Sequence, residues 1–105
     1  HWEAIVMSWK AGNRTSIHAH PQFAGYYFAD GEFQVEIFEQ AGPTALKLAN
    51  VVRVNGQEGF AAIGHPGRFD NHIHRITCLS ATAHSLHVYS DDALRGMTFV
   101  RNDSE

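Results

Sequence analysis

Phe33-Gln34-Val35-Glu36-Ile37-Phe38-Glu39 places apolar and polar side chains in near alternation, the period of a strand with one face buried. Glu3-Ala4-Ile5-Val6-Met7-Ser8-Trp9 also reads as a strand, and further strand-like segments fall near 15–19, 23–29, 45–54, 58–63, 73–79, 84–90 and 97–101. The breaks between them are small and polar: residues 10–14, Asp30-Gly31, Ala41-Gly42-Pro43, Asn55-Gly56, His65-Pro66-Gly67 and Asp91-Asp92. Asp30-Gly31 and Asn55-Gly56 predict tight two-residue hairpins, with Gly31 and Gly56 taking the positive φ such turns require. No window of helical periodicity competes. Short strands with frequent turns predict an all-β sandwich or small barrel, a jelly roll being the expected form, and residues 101–105 read as a frayed end.

A length of 105 residues suits one domain over residues 1–105, and 44% hydrophobic residues supply one core. Eight Lys and Arg against eleven Asp and Glu give a net charge of -3, which leaves no basic field for nucleic acid. No apolar run approaches the roughly 18–20 residues of a membrane helix, and no signal-peptide pattern opens the sequence. Together with the lone Cys78, this predicts a cytoplasmic domain with no disulfide. The pattern does not fix an oligomeric state. Eight histidines are the feature of composition that calls for chemistry.

His18 and His20 stand one residue apart in a strand-like stretch, so both imidazoles leave one face about 7 Å apart along the chain. That spacing allows a strand to chelate a metal; it equally allows two solvent-facing rings. A second pair, His72 and His74, opens a later strand and offers a third imidazole from either residue. His65 in its Pro-Gly turn and His84 are expected at the surface. Ser85, His87 and Tyr89 alternate with Leu86 and Val88 and share one face. Inside a barrel they would have to satisfy one another or a ligand; on the outer face they would meet water. Tyr26, Tyr27 and Phe28 are expected as wall and core, one tyrosine lining the pocket.

Gly12, then His18-Ala19-His20, then Gly31 resembles the first motif of the cupins, with Ala24 or Gly25 where that motif has a glutamate. Gly59, Pro66, Gly67 and His74 resemble the second, with Cys78 in place of an asparagine. Within the cupins, a three-histidine set resembles that of the thiol dioxygenases (the cysteine dioxygenase family). His74-Arg75-Ile76 is similar to that family's third-ligand stretch and Ser85-Leu86-His87-Val88-Tyr89-Ser90 to its Ser-Leu-His-Leu-Tyr-Ser strand. Trp9, Gly12, Ser16, Ile17 and His18 resemble its Trp-x-x-Gly-x-x-Ser-x-Ile-His stretch, with Ser16 one position later than the family's serine. The resemblance implies a cupin barrel holding Fe(II) on His18, His20 and His74, with His72 as the alternative third ligand or as a partner of the ligand ring. It implies a Ser85–His87–Tyr89 relay reaching the reactants, with a small thiol and O2 as substrates and a sulfinic acid as product.

Three neutral imidazoles leave the +2 charge of the ion uncompensated, which favours an anionic thiolate and lowers the thiol pKa. The animal members' cross-linking cysteine would fall on Ala24 or Gly25, so Tyr89 is expected unmodified and Cys78 is expected as a small buried side chain. The family's substrate-carboxylate arginine lies ahead of the first cupin strand, where this sequence opens. Arg14, Arg53, Arg68 and Arg75 are alternatives, none assigned, and Arg75 should face away from His74. Two rival readings use the same ligands: a zinc hydrolase or hydratase, and a barrel that senses a metal or small molecule without turnover.

Overall fold

A computed structural model of the chain describes residues 1–43 and 45–99. It contains nine strands, β1 (Glu3–Lys10), β2 (Ile17–His20), β3 (Phe23–Asp30), β4 (Glu32–Gln40), β5 (Leu46–Asn55), β6 (Glu58–Ile63), β7 (Asn71–Cys78), β8 (Thr82–Tyr89) and β9 (Thr98–Phe99), with one 3-10 turn at Ala93–Arg95. The strands form two antiparallel sheets, one ordered β1-β8-β3-β6 and the other β5-β4-β7-β2-β9. The chain changes sheet at nearly every connection; only β4 and β5 are sequential neighbours in one sheet, paired from Glu32↔Asn55 to Gln40↔Leu46. This alternation is the jelly-roll winding that the frequent turns predicted.

Two expected hairpins are therefore corrected. Asp30-Gly31 joins β3 of one sheet to β4 of the other, and Asn55-Gly56 joins β5 to β6 across the same divide. Gly31 does take a positive φ, 89°, and a Cβ there would lie 2.3 Å from the Ala83 Cβ. At the second corner the positive φ falls on Gln57 (68°), and Gly56 is demanded by close approach, since its Cβ would sit 2.8 Å from the Asp30 Cα. Turn chemistry reports the local backbone and not the sheet that the next strand joins.

Strand boundaries shift by up to two residues from the expected ones. The second strand is Ile17–His20, with Arg14 bridged to Thr77, and of the strand expected at 97–101, Thr98–Phe99 is seen while its last two residues lie outside the described ones. The expected frayed end at 101–105 also lies outside them. The apolar–polar pattern over 33–39 ends at Ile37-Phe38, where strand alternation itself puts Phe38 on the far face of its sheet, among Ile17, Ala19 and Ile73; the register shift beside it is an extra residue of β5.

Between the sheets lies the main core, where Trp9, Phe28, Phe33, Val35 and Ile76 pack with Cys78 and Ala83. Phe33 meets Trp9 edge-on at 5.3 Å and Phe28 at 4.6 Å. Cys78 is buried as expected. Tyr26 and Phe28 point inward while Tyr27 is 45% exposed, as strand alternation requires.

Candidate metal centre

β2 sends Ile17 and Ala19 into the far-face cluster, so the alternating His18 and His20 face the space between the sheets. β7 lies beside it with His18 directly opposite His74. The ring nitrogens of His18, His20 and His74 lie within 4.8 Å of one another, and their ring centroids are 4.5–5.0 Å apart.

The hydrogen bonds behind these rings assign their free nitrogens. His18 Nδ1–H donates to the Ser16 carbonyl at 2.8 Å, and His20 Nδ1–H is shared between the Asn71 and His72 carbonyls at 3.1 Å each. Both rings are thereby left with a lone pair on Nε2. His74 Nδ1 lies 3.0 Å from His72 Nδ1; with His74 donating, its Nε2 also presents a lone pair. Burial lowers the pKa of all three, down to about 3 for His20 and well below the usual range for His74, where neighbouring imidazole charge adds to the effect. Neutral rings with inward lone pairs are the donor set a divalent transition metal requires.

His72 reaches this supporting position through a bulge. Between His18↔His74 and His20↔Asn71, β7 spends three residues where β2 spends two. The extra residue lets His72 adopt a positive φ of 50° and turns its ring against His74, 4.7 Å between centroids. His72 is outside the His18, His20 and His74 group.

The facing sheet contributes a polar column from β8. Ser85, His87 and Tyr89 are buried, whereas His84 and Leu86 are exposed, so the ladder points inward. Trp9 Nε1–H donates to Ser85 Oγ at 2.9 Å, Ser85 Oγ lies 2.7 Å from His87 Nε2, and His87 Nδ1 lies 3.3 Å from the Tyr89 hydroxyl. The Tyr89 ring stacks on His20 at 5.3 Å and 15°, which joins the column to the imidazole cluster. Burial raises the Tyr89 pKa and lowers that of His87 to about 4, keeping both neutral. Ala24 pairs with Tyr89 on the neighbouring strand and carries no group able to modify it.

Similarity to solved structures bears on the fold at this point. An oxalate decarboxylase superposes with a TM-score of 0.68 at 19% identity, over 93% of this chain and 24% of that one. An oxalate oxidase gives 0.67 at 16% identity over 94% and 46%. The DMSP lyase DddQ from Ruegeria pomeroyi DSS-3 gives 0.63 at 18% identity over 98% and 45%. The fold is a cupin barrel. The chain spans about a quarter to a half of the length of these three proteins. No family model matches the chain, and no curated protein matches it by sequence.

Inside the cupin barrel, two residues matter more than their sequence context showed. Trp9 anchors the far end of the polar column, a role visible only once β1 and β8 pair. Tyr26 stands opposite His87 in register and touches His20, His74, His87 and Tyr89, with ring centroids 5.1–6.2 Å away. His65 and His84 are exposed, the latter 3.0 Å from Asp30. The four alternative arginines are engaged elsewhere: Arg14 and Arg75 with Glu36, Arg53 with Glu32, and Arg68 with Asp70.

A cavity of about 320 Å³ opens beside the centre, walled by Val35, Ile37, Val52, Val54 and Phe60, with the charged Arg53 and Glu58 also lining it and His72 at its edge. It does not touch His18, His20 or His74; Phe60 packs on Tyr26 and the His72 ring adjoins His74, so these two side chains separate the cavity from the cluster. Among the described residues, no helix is long and apolar enough to cross a membrane.

Proposed function

We propose that this cupin barrel is a non-haem Fe(II) thiol dioxygenase, with His18, His20 and His74 as its metal ligands. One observation carries the metal reading. Among the described residues, three buried side-chain atoms lack a hydrogen-bond partner, and two of them are His20 Nε2 and His74 Nε2. An unsatisfied buried polar atom costs about 1–3 kcal/mol, so two such nitrogens aimed at one point are best explained by a ligand they share. When bound, Fe(II) supplies a Lewis-acid site for a thiolate and the redox capacity for RSH + O2 to become RSO2H.

The remaining work belongs to the chain. His72 accepts from His74 and holds that ring in the tautomer that leaves Nε2 free. With Trp9 donating to Ser85, Ser85 donating to His87 Nε2, and His87 Nδ1–H donating to the Tyr89 oxygen, the phenolic proton of Tyr89 is directed toward the reactants. In the other tautomer of His87 the bonds reverse, with Tyr89 donating to Nδ1 and Nε2–H donating to Ser85 Oγ, so the phenolic hydrogen can also be turned away from the reactants. The burial of His20, His74, Tyr26 and Tyr89 between the paired sheets limits water at the reacting atoms.

This dioxygenase reading is favoured over a zinc hydrolase because it gives the buried column a task. The test is oxygen uptake by Fe(II)-loaded protein with a panel of small thiols, alongside product masses. Uptake that requires both thiol and iron, with a mass gain of two oxygen atoms, is expected. Turnover without O2 would indicate the hydrolase, and stoichiometric ligand binding without product would indicate a sensor.

A further inference from the structure

An antiparallel sheet with one face in water normally carries polar side chains on that face. The outer face of the five-stranded sheet does, and the ion pairs Arg53–Glu32 and Arg75–Glu36 cross it. The outer face of the β1-β8-β3-β6 sheet does not. Val6, Leu86 and Tyr27 stand in one row across its first three strands, and Ala4, Val88, Gly25 and Ala61 stand in the next. Phe23 and Ile63 pair beyond them, with the Trp2 ring edge-on to Phe23 at 5.7 Å. The ionisable side chains of this face, Lys10 and the His84–Asp30 pair, gather at one end of it.

This surface is open as well as apolar: Ile63 is 76% exposed, Val6 75%, Trp2 64%, Tyr27 45% and Leu86 38%. Side chains of these sizes, with the smaller ones between them, amount to roughly 600–800 Å² of accessible apolar surface, above what monomers usually leave bare and close to one partner's share of a standard interface. An uncharged centre with charge only at its margin is also the anatomy of an interface. A shallow hollow over Gly25, walled by Phe23, Tyr27, Leu86 and Val88, lies on the same face as the protruding Val6 and Ile63, so the face offers both knob and hole. We propose that a second copy of this chain covers it, the two β1-β8-β3-β6 sheets packing face to face about a two-fold axis. An isologous contact needs a face complementary to itself, and an uncharged surface carrying knobs and a hollow meets that need. An anionic membrane surface fits less well, because Lys10 is the lone Lys or Arg on the face and the net charge is -3.

Sedimentation equilibrium over a range of concentrations tests the proposal. The parent should associate to twice the chain mass with a dissociation constant of about 10 µM or tighter. Val6→Glu and Ile63→Glu, at exposed positions where the fold tolerates charge, should each weaken the dimer at least about tenfold while still melting cooperatively. Val51→Glu, exposed on the other sheet, should leave it unchanged. A reading that needs no variant is acrylamide quenching of the parent, in which Trp2 is exposed and Trp9 buried. Quenching should rise on dilution through the dissociation range. A parent that stays monomeric at about 200 µM overturns the proposal, and if that monomer is retained on phosphatidylcholine vesicles the face belongs to a lipid surface instead. A dimer that is insensitive to both glutamates, or is broken by Val51→Glu, or dissociates with no change in quenching, overturns it as well.

Discussion

A neutral histidine whose Nδ1–H donates to a carbonyl has a single lone pair left, and its position decides what the residue can do. His18 and His20 are in that state through Ser16, Asn71 and His72, and His74 reaches it by donating its Nδ1–H to His72 Nδ1. Replacing His72 by Phe removes that acceptor and keeps a ring, so metal affinity should fall about 10–100-fold without being abolished, as read by competition with a chromophoric chelator. Tyr89→Phe should leave metal affinity unchanged and lower kcat of the proposed reaction by about 10²-fold or more. His18 and His20 were legible as a pair because a period of two puts alternate residues on one face, whereas His74 as their third partner came from the family resemblance. Tyr26 was not legible, because a tyrosine in an apolar run reads as packing until its hydroxyl is seen to lack a partner.

At the scale of elements, strand periodicity located β1 to β8 to within about two residues, but partners were harder to read. Asp30-Gly31 has the composition of a hairpin and forms a corner between sheets, where Gly31 lies against Ala83. Gly31→Ala combines a strained φ with a steric clash and should cost about 2–4 kcal/mol in urea denaturation. Gly12→Ala, at a similar φ of 84° with open space around the added methyl, should cost only the backbone part, about 1 kcal/mol. The β7 bulge was equally hidden. His72 and His74 looked equivalent at i and i+2, and one extra residue in the ladder separates the proposed ligand His74 from its supporting partner His72.

For the whole molecule, the cost of enclosing several neutral imidazoles appears in its response to acid. Unfolded histidine titrates near pH 6.5, whereas burial holds His20 near 3 and His87 near 4 in the folded chain. Between those values the unfolded state binds more protons, so stability falls as pH drops below about 6.5 and gains nothing above it. By pH 5 the loss should reach about 2 kcal/mol for each such imidazole, a large part of a typical domain's stability. Urea denaturation of metal-free protein at pH 7.5, 6.5 and 5 reads it directly. The jelly roll followed from the strands and turns alone, whereas the inward direction of the β8 ladder needed the paired sheets, since either face of that strand could have been the core.

The central claim is one metal held by three imidazoles, and X-ray absorption at the metal edge of Co(II)-loaded protein tests it most directly. One ion per chain is expected, with about three imidazole nitrogens at roughly 2.0–2.2 Å, and the signal should be lost in His74→Ala and kept in His72→Phe at saturating metal. No stoichiometric ion, or the same imidazole shell after His74→Ala, would contradict the account.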